Sequence, residues 1–372
     1  MSNQTVNRKY EHIDIVVKED IVYPNMCTEI YSSIRLIHNA FPGISYNDID
    51  LSIEFLGYHL EAPLMITGMT GGHASVIKIN EALARIAEKY RIAIGVGSQR
   101  AMIETEKASI IESYTIVRKT ARNVPVIGNI GINTLKKIDL KHIVNAVDKL
   151  GADALAIHLN PAQELIQPEG DTGFTNDLID RVAELMDLIS IPIIVKEVGN
   201  GLSMEVVKKF HGIGIEIFDV AGSCGTSWVA VEVYRAEKSG YNDKALLGKK
   251  LGGWGIPTPL SVIETRWAAP SSWIIASGGV WDGYRAALNI ALGANMAGFA
   301  LPILRAIVDG GFETGSKYIE RYIDELRAVM FLTGSSNVRE LRNKPLYVSS
   351  NLLSLIRSRG IDWDKYVLVK GG

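Results

Sequence analysis

The sequence predicts an α/β protein built on a (β/α)8 TIM barrel, with an N-terminal arm and a C-terminal helical extension. From about residue 62 onward, eight short apolar runs alternate with amphipathic helical stretches, which is the order typical of this barrel. The runs lack polar alternation, which indicates strands buried on both faces of a parallel sheet. Polar and glycine-rich residues follow the runs, where a barrel places its active-site loops.

The repeating unit can be followed along the whole central part of the chain. The apolar runs cover residues 64–69, 92–97, 124–131, 154–159, 191–198, 215–221, 273–279 and 296–300. The helical patterns between them cover residues 75–90, 109–120, 140–150, 177–188, 203–210 and 282–292. A doubly wound open sheet is the alternative, but the glycine-rich turn after the first run lacks the GxGxxG spacing of a dinucleotide-binding sheet.

The flanking segments are expected to cover the barrel at both ends. Residues 51–63 predict a hairpin across the bottom of the barrel. Residues 234–259 interrupt the rhythm and, being rich in glycine and lysine, predict a mobile loop over the mouth. A long amphipathic helix is expected at 316–333. The organisation is therefore an arm and cap at 1–61, the barrel at 62–315, and a C-terminal helix and tail at 316–372 within the same domain.

The composition excludes several classes of partner. The 39 basic and 41 acidic residues give a formal net charge of −2, so nucleic acid is not an expected partner. No apolar run reaches the length of a membrane span, and the N-terminal segment lacks the apolar core of a signal peptide. Cys27 and Cys224 match no metal-ligand spacing and are too few for a disulfide framework. These features predict a protein of the reducing cytoplasm.

The stretch around the fourth apolar run carries the densest chemistry in the chain. Residues 152–171 begin as an apolar strand and then place six hydrogen-bonding or charged side chains close together. Burying so many polar groups is costly unless they bind a ligand or one another, so a site is predicted, with a solvated loop as the alternative. The six side chains are His158, Asn160, Gln163, Glu164, Glu169 and Asp171.

The ends of the last two runs predict a phosphate site. Ser277, Gly278 and Gly279 end the seventh run, a helical pattern follows, and the eighth run ends near Ala300. Glycine lets backbone N–H groups approach an anion closely, and a helix N-terminus adds a favourable dipole. Glycines that serve only tight turns are the alternative.

Lys196, at the end of the fifth run, has three possible roles. It could form a Schiff base, it could set a positive charge against a cofactor, or it could belong to a purely structural ion pair. Glu197 beside it and Asn129 elsewhere on the rim favour the second role, in which the lysine pairs its positive charge with a cofactor.

Two further groups suit a phosphorylated ligand. Arg8, Lys9 and His12, together with Arg100, match phosphate oxygens if the N-terminal arm folds over the mouth; a solvated tail is the alternative. Glu164 suits Mg²⁺ beside a diphosphate, because this ion keeps several waters and takes few protein ligands. A solvated loop carboxylate is again the alternative.

Six motifs stand at the ends of the predicted strands. They are TGMTGG at 67–72, GSQR at 97–100, GNIG at 128–131, HLN, QE and QPEGD within 158–171, VKEVG at 195–199 and GTSW at 225–228. Together they resemble the type 2 isopentenyl-diphosphate isomerases over about residues 7–340. The combination of MTGG, GSQR and HLNxxQE on one barrel is much narrower than a general flavin-barrel signature. Ser223 and Cys224 depart from the glycine-richer loop expected before Gly225.

The resemblance implies an isomerase of isoprenoid biosynthesis. Its reaction would interconvert isopentenyl diphosphate and dimethylallyl diphosphate by a 1,3-allylic proton shift. The resemblance further implies FMN in its reduced form as the acid/base group, Mg²⁺ bridging the substrate diphosphate, and NADPH as reductant. It also implies a homo-oligomer, tetrameric or larger.

The family's roles fall on the residues of this chain that match its motifs. FMN would be held by Thr67, Gly68, Met69, Thr70, Ser98, Asn129, Lys196, Thr226, Gly278, Gly279, Ala300 and Leu301. The substrate would be held by Arg8, Lys9, His12, Ser98, Gln99, Arg100, His158, Asn160 and Gln163. Catalysis would involve Gln163, His158, Asn160 and Lys196, with Trp228 as an apolar wall and Glu164 as the metal ligand.

Two other functions remain open at this point. An FMN-dependent 2-hydroxy-acid oxidase shares the fold and cofactor but needs a histidine base and a pair of arginines for its carboxylate substrate. A non-catalytic barrel that binds flavin or phosphate would have no need of Gln163 and Glu164 side by side.

Overall fold

The computed structural model describes residues 11–23 and 26–371 and contains a closed barrel of eight parallel strands. The predicted (β/α)8 fold is therefore confirmed. In chain order the strands are β1 (Ile34–Leu36), β2 (Ile53–Phe55), β3 (Tyr58–Leu60), β4 (Leu64–Ile66), β5 (Ala93–Gly95), β6 (Val126–Gly131), β7 (Ala154–His158), β8 (Ile193–Lys196), β9 (Ile217–Asp219), β10 (Trp273–Ala276), β11 (Met296–Phe299) and β12 (Leu346–Val348).

Helices surround this barrel and extend beyond it at both ends of the chain. A first helix, α1, covers residues 11–18 of the described chain. The others are α2 (Cys27–Ser32), α3 (Ile77–Tyr90), α4 (Arg100–Glu104), α5 (Ala108–Thr120), α6 (Thr134–Lys137), α7 (Leu140–Leu150), α8 (Pro161–Ile166), α9 (Asp177–Leu188), α10 (Met204–His211), α11 (Trp228–Lys238), α12 (Asn242–Leu251), α13 (Thr258–Ala268), α14 (Gly283–Ala291), α15 (Leu301–Thr333), α16 (Val338–Asn343), α17 (Ser350–Ser358) and α18 (Trp363–Val369).

Strands β4 to β11 form the barrel, with β11 closing onto β4. Their residues are almost entirely buried, as expected for strands covered by helices outside and side chains inside. Seven of the eight strands end sooner than their apolar runs, because the last residues of those runs turn into the loops above; β6 ends with its run at Gly131. The register pairs Gly131 with His158, His158 with Lys196, and Lys196 with Asp219, so these polar residues lie at one level of the barrel.

The hairpin of β2 and β3 lies at the opposite end of the barrel. Its turn is formed by Leu56 and Gly57, both with positive φ (53° and 79°), as a two-residue hairpin requires. The Tyr58 hydroxyl donates to Asp153 Oδ1 (2.8 Å), just before β7 begins. Phe55 stacks on Trp273, the first residue of β10 (5.1 Å between ring centroids).

The segment 234–259 corrects the prediction of a mobile loop over the mouth, because most of it is helical. Helix α11 extends to Lys238, α12 occupies Asn242–Leu251, and α13 starts at Thr258. Ala245 is buried, and a Cβ on Gly248 would lie 2.4 Å from Val233 and 2.9 Å from Ile166. The small residues that suggested a loop therefore allow α12 to pack closely on its neighbours.

The C-terminal region is more structured than the predicted helix and tail. Helix α15 begins at Leu301, directly after β11, and is broken at Gly310 and Gly311, where φ and ψ leave the helical region; the predicted helix at 316–333 is its second part. Beyond it, β12 pairs antiparallel with β1. Tyr366 is buried, which anchors the last helix on the barrel. None of the described helices is long and apolar enough to cross a membrane.

The two cysteines correct a second prediction, because Cys27 and Cys224 form a disulfide. Their Cα atoms are 5.4 Å apart although 197 positions separate them in sequence, and that distance is normal for a disulfide. Barrel closure brings α2 to the loop after β9, a proximity that cysteine count and spacing do not contain. The cysteines therefore no longer support a reducing compartment.

Candidate active site

A cavity of about 380 Å³ opens at the carboxyl ends of the barrel strands, and the loops after all eight strands contribute to it. This is the end at which barrels carry their sites. It gathers the whole expected flavin set and most of the expected substrate set. The expected residues that line it are His12, Thr67, Gly68, Met69, Thr70, Ser98, Arg100, Asn129, His158, Asn160, Gln163, Glu164, Lys196, Thr226, Trp228, Gly278, Gly279, Ala300 and Leu301.

Three expected substrate residues are not among the described residues of this lining. Arg8 and Lys9 lie outside the described residues. Gln99 is buried, and its Nε2 donates to Ala146 O (2.9 Å) while its Oε1 accepts from Asn129 N (3.1 Å). The side chain of Gln99 points behind the rim and joins β6 to α7, away from the lining residues, and its expected role in substrate binding stays a prediction.

The end of the cavity at which a phosphate is expected is built from backbone. Gly278 and Gly279 both have positive φ (90° and 77°), and both are closely packed from below. A Cβ on Gly278 would lie 2.1 Å from Gly222 O, and one on Gly279 would lie 1.9 Å from Cys224 O. Helix α15 starts beside them at Leu301. Only glycine fits this cradle, and the helix N-terminus favours an anion there.

Lys196 lies in the centre of the barrel and is buried. Its Nζ is 3.4 Å from Asp219 Oδ2 and also donates to Glu197 O. Asp219 in turn accepts from Ser277 Oγ. A cation held by a buried carboxylate argues against a Schiff-base lysine, and it fits both a charge set against a cofactor and a purely structural ion pair.

Glu197 shapes the loop after β8. Its Oε2 accepts from the backbone N–H groups of Val198 and Gly199 (2.6 Å each) and also from that of Asn200. Burial raises the pKa of Glu197 to about 7, even though these three hydrogen bonds favour the ionised form. The carboxyl therefore titrates near neutral pH while it holds a wall of the cavity.

His158 and Asn129 form a pair on adjacent strands. His158 Nδ1 lies 2.7 Å from Asn129 Oδ1, so the ring N–H donates to the amide oxygen. A Cβ on Gly131 would lie 2.8 Å from His158 Nε2, so glycine at 131 makes room for the ring. The contact fixes the plane of the imidazole at the cavity wall.

The loop after β7 positions Gln163 and Glu164 on α8. Asn160 Nδ2 donates to Gln163 Oε1 and Glu164 Oε1 (3.1 Å each), and Asp171 N donates to Glu164 Oε2 (2.7 Å). Among the described residues no group of three His, Cys, Asp or Glu could hold a metal ion. A magnesium ion at Glu164 would therefore need oxygens from substrate and water, which is its ordinary preference.

Sequence reasoning missed Glu232, which is fully buried on α11 beneath this loop. Its Oε1 accepts from His12 Nε2 (2.9 Å) and Gln163 Nε2 (3.0 Å), and its Oε2 accepts from Arg235 (2.7 Å). Burial opposes ionisation, but the attraction of His12 and Arg235 and the hydrogen bonds lower the pKa of Glu232 to about 2. An acidic residue flanked by valines in a buried helix was the available sequence signal.

Two ion pairs account for the two acidic residues at the end of the loop, and the first belongs to the network of Glu232 and Arg235. Glu169 accepts from Arg235 (3.0 Å), and Asp171 pairs with Lys137 (2.6 Å). Both carboxylates therefore have a structural role within the loop that carries Gln163 and Glu164.

Several proteins with established names are similar in sequence to this chain over nearly its full length. An isopentenyl-diphosphate delta-isomerase of Metallosphaera sedula is 40% identical over 368 residues, covering 99% of each chain. One of Pyrococcus abyssi is 42% identical over 375 residues, covering 99% of this chain and 98% of the relative. The chain belongs to the isopentenyl-diphosphate delta-isomerase family.

Two other comparisons place this isomerase family among flavin barrels. Residues 135–348 match the family model of the FMN-dependent dehydrogenases. A mandelate oxidase variant with a monooxide FMN adduct has a TM-score of 0.63 at 13% identity, covering 94% of this chain and 99% of its own. A flavocytochrome b2 variant with pyruvate bound has a TM-score of 0.64 at 18% identity, covering 94% and 85%. At such identities the likeness concerns the fold alone.

Proposed function

We propose that this chain interconverts isopentenyl diphosphate and dimethylallyl diphosphate by a 1,3-allylic proton shift. Curated relatives at about 40% identity are named for this reaction. The observation that supports it most directly is Gln163, which lines the cavity while its amide is held by the buried Glu232 (3.0 Å). A neutral, fixed amide beside the cavity suits a substrate whose reacting part is an alkene.

FMN is the cofactor that fits the cavity. The Gly278–Gly279 cradle and the start of α15 would take its phosphate, where a side chain on either glycine would not fit. The ring system would lie over Thr67 to Thr70, Ser98, Asn129 and Thr226, with Lys196 against its pyrimidine edge. Reduced FMN, when bound, supplies the group that exchanges a proton with the substrate.

The residues of the chain would bind and orient the substrate. Arg100, Ser98 and His12 would contact the diphosphate, and Arg8 and Lys9 are proposed to join them. Arg100 is already placed by its ion pair with Glu104 (2.6 Å), which leaves terminal guanidinium nitrogens for phosphate oxygens. His158 and Asn160 would flank the carbon chain. Trp228, whose ring meets His12 edge-on (5.1 Å between centroids), would wall off water from the developing cation.

Four finer features belong to the same proposal. Mg²⁺ would bridge Glu164 and the diphosphate, and NADPH would supply the reducing equivalents. The protein would act as a homo-oligomer, tetrameric or larger. We place it in the cytoplasm, because a substrate with a charged diphosphate group does not cross a bilayer unaided.

An oxidase of 2-hydroxy acids is not the function that this cavity favours. Arg100 is the one arginine among the described residues that line it, whereas binding a carboxylate in that class needs a pair. The likeness to mandelate oxidase and flavocytochrome b2 extends to the fold only.

One assay tests the proposal. The purified protein should be yellow, inactive with oxidised FMN, and active with Mg²⁺ after reduction by NADPH or dithionite. The measurement is interconversion of the two C5 diphosphates by chromatography of the dephosphorylated products. A reduced holoenzyme that leaves both compounds unchanged would show the assignment to be wrong. Gln163→Ala should lose turnover by at least about 100-fold while still binding FMN; retained turnover would remove the role of Gln163.

A further inference from the structure

Helix α2, outside the barrel, is covalently joined to the loop that supports the phosphate cradle. The joint is the disulfide between Cys27, at the first turn of α2, and Cys224, in the loop after β9. Both cysteines are buried, with exposed fractions of 9% and 5%. The disulfide therefore lies inside the packed structure and connects a segment that contributes nothing to the cavity lining with one that lies directly beneath it.

The loop that carries Cys224 packs backbone against backbone on the cradle. Cys224 O lies 1.9 Å from the position that a Cβ would take on Gly279, and a Cβ on Gly225 would lie 2.4 Å from Gly279 N. Thr258 N donates to Cys224 Sγ (3.4 Å), and the Thr258 hydroxyl donates to Gly278 O. No side chain separates the backbone of the Cys224 loop from the backbone of the cradle, so a shift of the loop moves the cradle directly.

A second contact joins α2 to the same place. Arg285 donates to Gly279 O (2.7 Å), and its guanidinium carbon lies 5.0 Å from the centroid of the Tyr31 ring on α2. The Tyr31 hydroxyl accepts from Asn289 Nδ2 (2.9 Å), which fixes the ring on α14. Helix α2 thus reaches Gly279 along two routes, one covalent and one through a cation–π contact.

The loop beneath the cradle has a backbone conformation that needs such support. Ala221, at the start of the Cys224 loop, has φ of 36°, in a region that non-glycine residues seldom adopt. Gly278 and Gly279 also have positive φ, which glycine adopts without strain. Strained backbone of this kind persists only where surrounding contacts over-determine it.

We propose that the Cys27–Cys224 disulfide is a brace that sets the affinity of the cradle for the phosphate of FMN. The proposal rests on the proposed function, since it takes the ligand of the cradle to be FMN. Reduction by a dithiol breaks the Sγ–Sγ bond with two electrons and two protons, and the dithiol closes to its own disulfide. The freed loop then relaxes, and the backbone N–H groups no longer converge on the phosphate.

The test compares FMN with riboflavin, which has the same ring and ribityl chain but no phosphate. Cys27→Ser removes the brace while leaving the Cys224 loop chemically intact. Dissociation constants are measured by quenching of flavin fluorescence, and thiols are counted in denaturant before and after treatment with dithiothreitol. FMN should bind about tenfold more weakly to Cys27→Ser and to the reduced wild type, because preorganisation of the cradle is lost, whereas riboflavin affinity should stay within about twofold.

Controls separate the brace from general loosening of the fold. Cys224→Ser should reproduce the effect, and dithiothreitol should change nothing further in either variant. Equal weakening of FMN and riboflavin, unchanged FMN affinity, or two free thiols in protein purified without reductant would each overturn the brace. Absence of FMN binding in the disulfide-bonded wild type would instead contradict the proposed function.

Discussion

The two halves of the cavity are built in different ways. The cradle at Gly278 and Gly279 consists of backbone held by backbone, with no room for a side chain. The opposite half, around Gln163, consists of side chains held by one buried carboxylate, Glu232. A backbone site binds a constant feature such as a phosphate, whereas a side-chain network can set the position and charge of single groups. Substitutions should therefore affect cofactor binding in one half and turnover in the other.

Gly279→Ala tests the cradle and should have the largest effect. Its Cβ would overlap Cys224 O, so either the cradle or the loop must move. We expect FMN affinity to fall by more than about 100-fold, corresponding to about 3 kcal/mol. Fluorescence titration with FMN measures it.

Gly43→Ala is the matched control for that substitution. Gly43 has a similar φ of 71°, but no atom lies within 4 Å of its Cβ position. It should lose about 1 kcal/mol of stability from backbone strain and no FMN affinity. Equal loss of FMN affinity in both variants would mean that the affinity depends on backbone strain at the substituted residue, and not on the close approach of its Cβ to Cys224 O.

Glu232→Gln tests the other half. The change removes the buried counter-charge of His12 and one of the three carboxylates that pair with Arg235, so the free energy of unfolding should fall by about 3 kcal/mol. The turnover number should fall by about 10- to 100-fold because Gln163 loses its partner, while FMN affinity stays unchanged. Chemical denaturation and steady-state kinetics measure the two effects.

Glu237→Gln on the same helix provides the comparison for Glu232. Glu237 is exposed and pairs with Lys249 across the surface. In Glu237→Gln the free energy of unfolding and the turnover number should therefore stay near the wild-type values. If FMN affinity fell in Glu232→Gln along with turnover, the two halves of the cavity would not be independent.

The pH dependence of stability should reveal the titration of Glu197, which lies between the two halves of the cavity. Its pKa in the folded protein is raised to about 7 by burial, above the value of 4.5 for an unperturbed carboxyl. Between these values the folded state binds more protons than the unfolded state, so this group's contribution is complete below pH 4.5 and is lost as pH rises through 7. The slope is at most about 1.4 kcal/mol per pH unit.

Glu197→Gln should remove that slope between pH 5 and 7, as denaturation curves at a series of pH values would show. The contribution of Glu232 to stability changes with pH in the opposite direction, since its pKa is lowered to about 2. Its contribution is present above pH 4.5 and is lost as pH falls towards 2, so it does not obscure the window in which Glu197 titrates. An unchanged slope in Glu197→Gln would mean that Glu197 is ionised throughout.

The sequence predicts the cradle half better than the network half, for a physical reason. Glycines and apolar strands are local signals, so the barrel and Gly278–Gly279 follow from the chain order. Arg235 is a local partner of Glu232, three residues further along α11, but His12 and Gln163 come from distant segments that no local pattern brings to it. Gln99 stands between two rim residues in sequence although its side chain points behind the rim, and Cys27 and Cys224 meet only through barrel closure. Long-range contacts are what sequence patterns leave out.

The smallest effect is expected at the end of the loop after β7, where two neighbouring carboxylates should differ. Asp171 supports Glu164 through its backbone N–H (2.7 Å), while its side chain makes a partly exposed pair with Lys137. Asp171→Ala keeps the backbone contact, so it should cost less than about 1 kcal/mol and leave the magnesium dependence of turnover unchanged. Glu164→Gln removes the charge that would face the metal, so it should raise the Mg²⁺ concentration needed for half-maximal activity by about tenfold or more. Equal magnesium dependence in the two variants would show that Glu164 only shapes the loop, as Asp171 does.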